Sequence, residues 1–286
     1  MELLLNELSL HNQYSSSENF RVTGLREIIQ FFQLQKTSCI TILKKSDIYS
    51  REVYNGITML SAMTTENLSK SDEIRKLKSD LSKVINDPFW DFSKKCDGAA
   101  KYTHNTVNVN DSALAECYER KIFLISFIPS NYSSEIINVE KDKHSQKISN
   151  YTNNRALVQK LYEQNLVSFE VFCKNYYNGS KLDFSKINVK NSFDQILDKK
   201  DEIQFINSFN MFSSTNWSDI LKQSGKGKNI AGFDYKKFHD QDHFAQYSTS
   251  SPIYKFRVTQ KFRVFGYRIK DSFILLEFDL THQLSD

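Results

Sequence analysis

The sequence predicts an α+β protein: a mixed N-terminal α/β portion, a helical middle and a C-terminal antiparallel β-meander. Three observations lead there. Apolar residues recur at helical spacing, first at Leu25, Ile28, Ile29 and Phe32. The nearly continuous apolar run Ile122 to Ile128, broken by Ser126, has the length of a buried central strand and is far too short to span a bilayer. From Tyr254 onward, short strand-like segments follow one another with little between them. Composition agrees, since 40% hydrophobic and 25% charged residues over 286 positions suffice for a core and exclude wholesale disorder. Only 3 Pro and 8 Gly leave little room for low-complexity linkers or a Gly-rich cofactor fold, so no cofactor is expected. Two portions are expected, 1–150 and 151–286.

Taken in order, Leu3 to Leu10 opens as a strand, and Leu25 to Phe32 form the core stripe of a helix. Cys39 to Leu43 is β-branched and alternating, as a strand should be. A second helix is expected on Ile74, Leu77, Leu81 and Val84, with Ser69 and Asp72 at its start and Asn86-Asp87-Pro88 at its end. Phe89-Trp90 tucks that exit under the core. A turn at Cys96–Gly98 precedes a strand over Tyr102–Asn110, then the central strand to Ile128, a turn at Pro129-Ser130-Asn131 and a strand over Glu135–Val139. Polar, charged Glu140 to Asn154 is expected to be an exposed loop or boundary. Helices resume at Leu157 and Leu161, then on Phe169, Phe172, Cys173, Tyr176 and Tyr177, and again on Phe193, Ile196, Leu197, Ile203 and Ile206. After a basic loop at Ser224–Asn229 come strands Tyr254–Thr259, Lys261–Ile269 and Phe273–Leu280, the last two a hairpin.

The N-terminus lacks the basic start and apolar length of a secretory signal. The four cysteines show no CxxC spacing. Together these predict a cytoplasmic protein with reduced, mainly structural thiols and no membrane partner.

A formal net charge of +4 excludes a generic polyanion binder, but the distribution is uneven. Lys255, Arg257, Lys261, Arg263, Arg268 and Lys270 fall in one stretch without an acid, interleaved with Phe256, Phe262, Phe265 and Tyr267. Arginine forks suit phosphate and aromatic rings suit unpaired bases, so these six are candidate nucleic-acid contacts. A solvated sheet face or a protein-docking surface accounts for the same pattern. Next to them lie Glu277, Asp279 and His282. Two carboxylates at strand spacing share a face and a histidine titrates near neutrality, which makes this trio a candidate general acid–base group at a phosphodiester. Cross-strand ion pairing is the structural alternative. His239 and His243, at i and i+4, would share a helical face and offer zinc two ligands. The glutamate of a zinc-protease motif is replaced by Asp240, and a polar surface turn explains the pair without a metal.

Asn6-Glu7-Leu8-Ser9-Leu10-His11-Asn12-Gln13-Tyr14, Asp87-Pro88-Phe89-Trp90 and Leu124-Ile125-Ser126-Phe127-Ile128-Pro129-Ser130-Asn131 occur in that order. In combination they resemble a family of bacterial proteins from anti-phage defence loci and mobile elements. Phe262 to Arg268 and Phe278 to His282 resemble the closing hairpin of bacterial toxin-like proteins. The resemblance implies a toxin or effector subunit of a toxin–antitoxin or retron type, restrained or recruited by a protein or nucleoprotein encoded beside it. It implies no catalytic residues. The sequence therefore predicts an effector acting on nucleic acid, RNA in particular, as a metal-independent ribonuclease. The alternative is a non-catalytic subunit that docks a partner within a defence complex.

Overall fold

The computed structural model describes residues 1–64, 88–196, 198–222, 232–240, 242–247, 251–281 and 284. The helix expected on Ile74–Val84, the loop Ser224–Asn229, Leu197 and His282 lie outside the described residues. The chain is an α+β protein that divides into two compact units, Met1–Val167 and Ser168–Asp286. That division lies beyond the expected 150/151, because the helix following residue 153 packs on the first helix of the N-terminal unit.

In the first unit, strands β1 (Glu2–Leu5), β2 (Thr41–Leu43), β3 (Glu52–Tyr54), β4 (Ile57–Thr58), β5 (Tyr102–His104), β6 (Val107–Asn108), β7 (Phe123–Ile125), β8 (Ile136–Lys141) and β9 (His144–Tyr151) alternate with helices α1 (Arg26–Thr37), α2 (Met59–Thr64), α3 (Ala113–Arg120) and α4 (Asn154–Glu163). Seven strands form one sheet in the order β2-β1-β7-β9-β8-β5-β6, while β3 and β4 pair separately. Strands β2, β1, β7 and β9 run parallel, and the remaining pairings are antiparallel. Leu3, Leu4 and Leu5 of β1 are all fully buried, as befits a parallel strand covered on both faces. Helix α1 buries the expected Ile28, Ile29 and Phe32 together with Phe31 and Leu34, and Leu25 is buried just before it. Trp90 is buried, and the Lys44–Phe89 bridge ties its segment to the end of β2.

Three expectations change. The strand expected over Leu3–Leu10 ends at Leu5, and Glu7–Ser9 forms a 3-10 turn started by the Asn6 cap. Tyr102–Asn110 is not one strand but the hairpin β5–β6, turning on Asn105 and Thr106 with φ of 48° and 67°. Asparagine tolerates that left-handed geometry, and alternation on the two arms resembles a single strand. Glu140–Asn154 is not a loop. It completes the β8–β9 hairpin through Asp142 and Lys143, both at positive φ (43° and 80°), and then enters α4 with Asn153 as its N-cap. In β8 Ile137 and Val139 point inward while Ile136, Asn138 and Glu140 face solvent, so the charge of this stretch marks one wet sheet face.

β1 exits through Asn6 and Glu7, both fully buried. Asn6 Nδ2 donates to Ser126 Oγ (2.9 Å), joining the ends of β1 and β7. The Glu7 carboxylate accepts the Ala113 N–H (3.2 Å) at the start of α3. Burial raises the Glu7 pKa to about 7, with the Ala113 amide and the charges of Lys45 and Arg51 offsetting part of the effect.

In the second unit, helices α5 (Phe169–Tyr176), α6 (Lys199–Ser214) and α7 (Trp217–Lys222) accompany strands β10 (Leu182–Asp183), β11 (Lys236–Lys237), β12 (Tyr254–Arg257), β13 (Arg263–Ile269) and β14 (Ser272–Asp279). The sheet order is β10-β14-β13-β12-β11, with β10 parallel to β14 and the rest antiparallel. The expected meander is therefore the centre of a five-stranded sheet. Phe193 and Ile196 do not belong to α6, which starts after the N-cap Asp198 and buries Phe205, Ser208, Phe209 and Phe212 instead. Those rings stack against Phe256, Phe273 and Phe278 on one sheet face. The other face is covered by Phe238, Phe244 and Ile253, packed on Phe265 and Leu276.

Candidate active site

β14 runs antiparallel to β13 in a register broken between Phe265 and Gly266. Phe265 faces Glu277 and Gly266 faces Leu275, which leaves Leu276 as the extra residue of a bulge. Glycine is required there, since a Cβ on Gly266 would sit 2.1 Å from the Ile274 carbonyl oxygen. The bulge turns two successive residues to one face: Leu276 joins the Phe238–Phe244–Phe265 cluster, and Glu277 meets side chains of the 242–247 turn.

Glu277 is 1% exposed, yet its carboxylate is fully engaged. Oε2 lies 2.9 Å from His243 Nε2, while Oε1 accepts from Tyr247 OH (2.5 Å) and Asn191 Nδ2 (2.9 Å). Asn191 is carried by a segment strapped to β14, with Asn188 N–H donating to the Leu276 carbonyl and Phe278 N–H to that of Asn191. Burial, and then the bond to Glu277, raise the Tyr247 pKa well above its usual value, so the phenol remains a donor. A carboxylate opposite Nε2 selects the tautomer with the proton on Nε2. The His243 side chain is 32% exposed, and its Nδ1 has no partner among the described residues. The arrangement is thus a buried carboxylate orienting a partly exposed imidazole whose Nδ1 has no partner among the described residues, the pairing of a general base with its orienting group.

Strand parity and register sort the residues expected from the sequence. Lys255, Arg257, Arg263, Glu277 and Asp279 share this sheet face. Lys255 and Arg263 are each only 7% exposed, so the two central cations of the expected nucleic-acid surface are not displayed. Arg263 Nη1 donates to the carbonyls of Thr259 (2.7 Å) and Phe262 (3.0 Å), holding the β12–β13 connection. Lys255 Nζ lies 5.3 Å from the centre of the Phe238 ring, and burial lowers its pKa, with repulsion from Lys236 and Arg263 adding to the effect. Asp279 accepts backbone N–H groups of Thr281 and Leu284 (both 3.1 Å), closing the turn after β14. Arg257 is exposed and shares Asp234 with Lys236.

Lys261 is exposed in the β12–β13 connection. Arg268, of opposite parity, lies on the α6 face over Trp217, and Lys270 occupies the β13–β14 turn. His239 is exposed and precedes the 242–247 turn, so His239 and His243 do not share one helix. Among the described residues no three His, Cys, Asp or Glu side chains gather as a metal site. No described helix is long and apolar enough to cross a membrane.

Sequence reasoning singled out Glu277 as an acid–base candidate and His243 as half of a zinc pair, and it missed Tyr247 and Asn191. His243 lies 34 residues away, Tyr247 30 and Asn191 86. The usable signal was a histidine and a tyrosine in an otherwise polar turn, flanked by Phe238 and Phe244, which must be buried. No protein-family model, curated protein or solved structure matches this chain.

Proposed function

We propose that the Ser168–Asp286 unit cleaves RNA without a metal, with His243 as general base, and that the chain serves as a toxin-like effector of a bacterial defence system. The observation that carries the chemistry is the buried Glu277 carboxylate holding His243 Nε2 of a partly exposed imidazole, which leaves Nδ1 as the nitrogen without a partner among the described residues. Nδ1 takes the proton of a ribose 2′-hydroxyl. The O2′–P bond forms as the P–O5′ bond breaks, and water protonates the departing O5′. The products are a 2′,3′-cyclic phosphate and a 5′-hydroxyl, after which the imidazolium releases its proton to solvent. Glu277 stabilises that imidazolium and Tyr247 and Asn191 keep the carboxylate in place. Of the cations expected at nucleic acid, Arg257 on this face and Lys261 in the β12–β13 connection are exposed, and they take the role that buried Lys255 and Arg263 do not. The effector role and a restraining partner rest on the family resemblance.

The test incubates the purified chain in EDTA with a labelled single-stranded RNA and with its 2′-deoxy counterpart. Cleavage of the ribose strand alone, with cyclic phosphate ends and at least a hundredfold loss in His243→Ala, is expected. An intact wild-type protein that cuts neither strand, or equal cleavage by His243→Ala, overturns the proposal in favour of a docking subunit. Expression of the chain alone and beside its neighbouring genes then measures growth inhibition and partner capture.

A further inference from the structure

On the opposite sheet face lies a second constellation that the proposed cleavage does not use. An open cleft of about 390 Å³ is lined by Tyr235, Tyr254, Arg268, Lys270, Leu221 and Pro252. That is within the size of small-ligand sites, roughly 300–1,000 Å³. Its polar chemistry is one-sided. The Arg268 guanidinium carbon lies 3.9 Å from the centre of the Trp217 ring, and Nε donates to the Lys270 carbonyl (2.7 Å). Neither of its terminal nitrogens has a partner, and Arg268 makes no ion pair, among the described residues. Lys270 is exposed on the adjoining turn, where its φ of 52° sets the chain direction. Lys237 stands directly opposite Tyr254 in the β11–β12 register, on the same face.

Beneath them, Tyr235 stacks on Tyr254 with ring centres 5.0 Å apart and planes 4° from parallel. Tyr235 is 2% exposed, and its hydroxyl is buried without a hydrogen-bond partner among the described residues. A buried hydroxyl left unpaired costs free energy that an acceptor would recover. Among the described residues no carboxylate lines the cleft. An arginine fork held against a ring, an ammonium on a turn and, among the described residues, a tyrosine donor with nothing to donate to and no lining acid together select an oxyanion with several acceptor oxygens.

We propose that this cleft binds a phosphoryl group, carried either by a mononucleotide or by the backbone of a single strand. Arg268 and Lys270 supply the charge, Tyr235 supplies a donor from below and Tyr254 supplies the ring beside it. The site stands apart from the His243–Glu277 pair on the other face and does not depend on RNA cleavage.

The test uses the His243→Ala protein, so that no substrate is cut, and follows Trp217 fluorescence, because Arg268 rests on that ring. The probes are inorganic phosphate, adenosine 5′-monophosphate, adenosine and a short single-stranded oligoribonucleotide. The phosphate-bearing probes are expected to change the signal saturably and adenosine is not. Arg268→Gln is expected to weaken binding about tenfold or more, and Lys270→Ala and Tyr235→Phe several-fold. Because Arg268→Gln alters the fluorophore's own environment, equilibrium dialysis repeats each affinity, and thermal melting confirms that each variant is folded. Tyr235→Phe keeps the ring stack and isolates the hydroxyl.

Binding of the mononucleotide at least as tightly as the oligonucleotide supports the proposal with a small-molecule ligand. Binding confined to the oligonucleotide supports it with a backbone phosphate. Adenosine binding as well as its monophosphate, absence of binding by every phosphate-bearing probe, or unchanged affinity in folded Arg268→Gln and Lys270→Ala overturns it. Failure of cleavage in the earlier test leaves these affinities unmoved, so the two proposals fail separately.

Discussion

Glu7 makes the N-terminal unit sensitive to pH, and the size of the effect follows from its surroundings. The carboxyl is fully buried at the exit of β1 and its pKa is about 7 in the fold, against 4.5 when free. Below pH 4.5 it is protonated folded and unfolded, and contributes no difference. Between 4.5 and about 7 the unfolded chain ionises while the folded one retains its proton, so stability falls as pH rises. Above 7 both states are ionised and the loss is complete. The interval from 4.5 to about 7, at about 1.36 kcal/mol per pH unit, amounts to about 3 kcal/mol. Glu7→Gln keeps an acceptor for the Ala113 N–H and never ionises, so it should flatten this slope and raise stability at pH 8 by up to about 3 kcal/mol. The assay is urea unfolding at pH 5, 6, 7 and 8 in a Trp217→Phe background, where Trp90 reports on the N-terminal unit alone. Equal pH dependence with and without Glu7→Gln would refute the reasoning.

Three further perturbations test the C-terminal unit. Glu277→Gln places an amide N–H against His243 Nε2 and drives the proton to Nδ1; RNA cleavage should fall roughly a thousandfold or more, and ¹⁵N NMR of the imidazole should show the exchanged tautomer. Arg263→Ala frees the carbonyls of Thr259 and Phe262. It should destabilise the unit by about 1–3 kcal/mol, read from Trp217 in denaturant, and any loss of RNA affinity should track that unfolding. Gly266→Ala forces a methyl 2.1 Å from the Ile274 oxygen; a cost of about 3 kcal/mol by the same measurement is expected, and a neutral substitution would mean the bulge rearranges freely.

Periodicity made much of this architecture legible. Leu25, Ile28, Ile29 and Phe32 form a buried stripe, and Phe256, Val264 and Phe278 face inward as strand alternation requires. The two hairpins were obscured for different reasons: the short arms of β5 and β6 alternate across Asn105-Thr106 without announcing the turn, while the polar face of β8 and β9 gives Glu140–Asn154 the composition of a loop. Of the basic stretch, parity alone separates Arg268 from Arg257 and Arg263, and that information was present in the sequence. What was absent was depth. Lys255 and Arg263 carry the composition of a surface and lie beneath one, because Phe238, Phe244 and Ile253 come back onto their sheet face.

The sequence by itself determined an α+β chain, the meander from Tyr254 to Leu280 and the presence of Glu277 on a strand beside clustered cations. Those properties are local, set by side-chain period and by charge along a few consecutive residues. Only the tertiary structure decided that Glu277 meets His243, Tyr247 and Asn191, and that Arg268 and Lys270 meet Tyr235. Both constellations join residues tens of positions apart, and the first depends on a single bulged residue. A bulge reverses which face a side chain takes, and no pattern of hydrophobicity along the chain encodes which distant segment will cover that face.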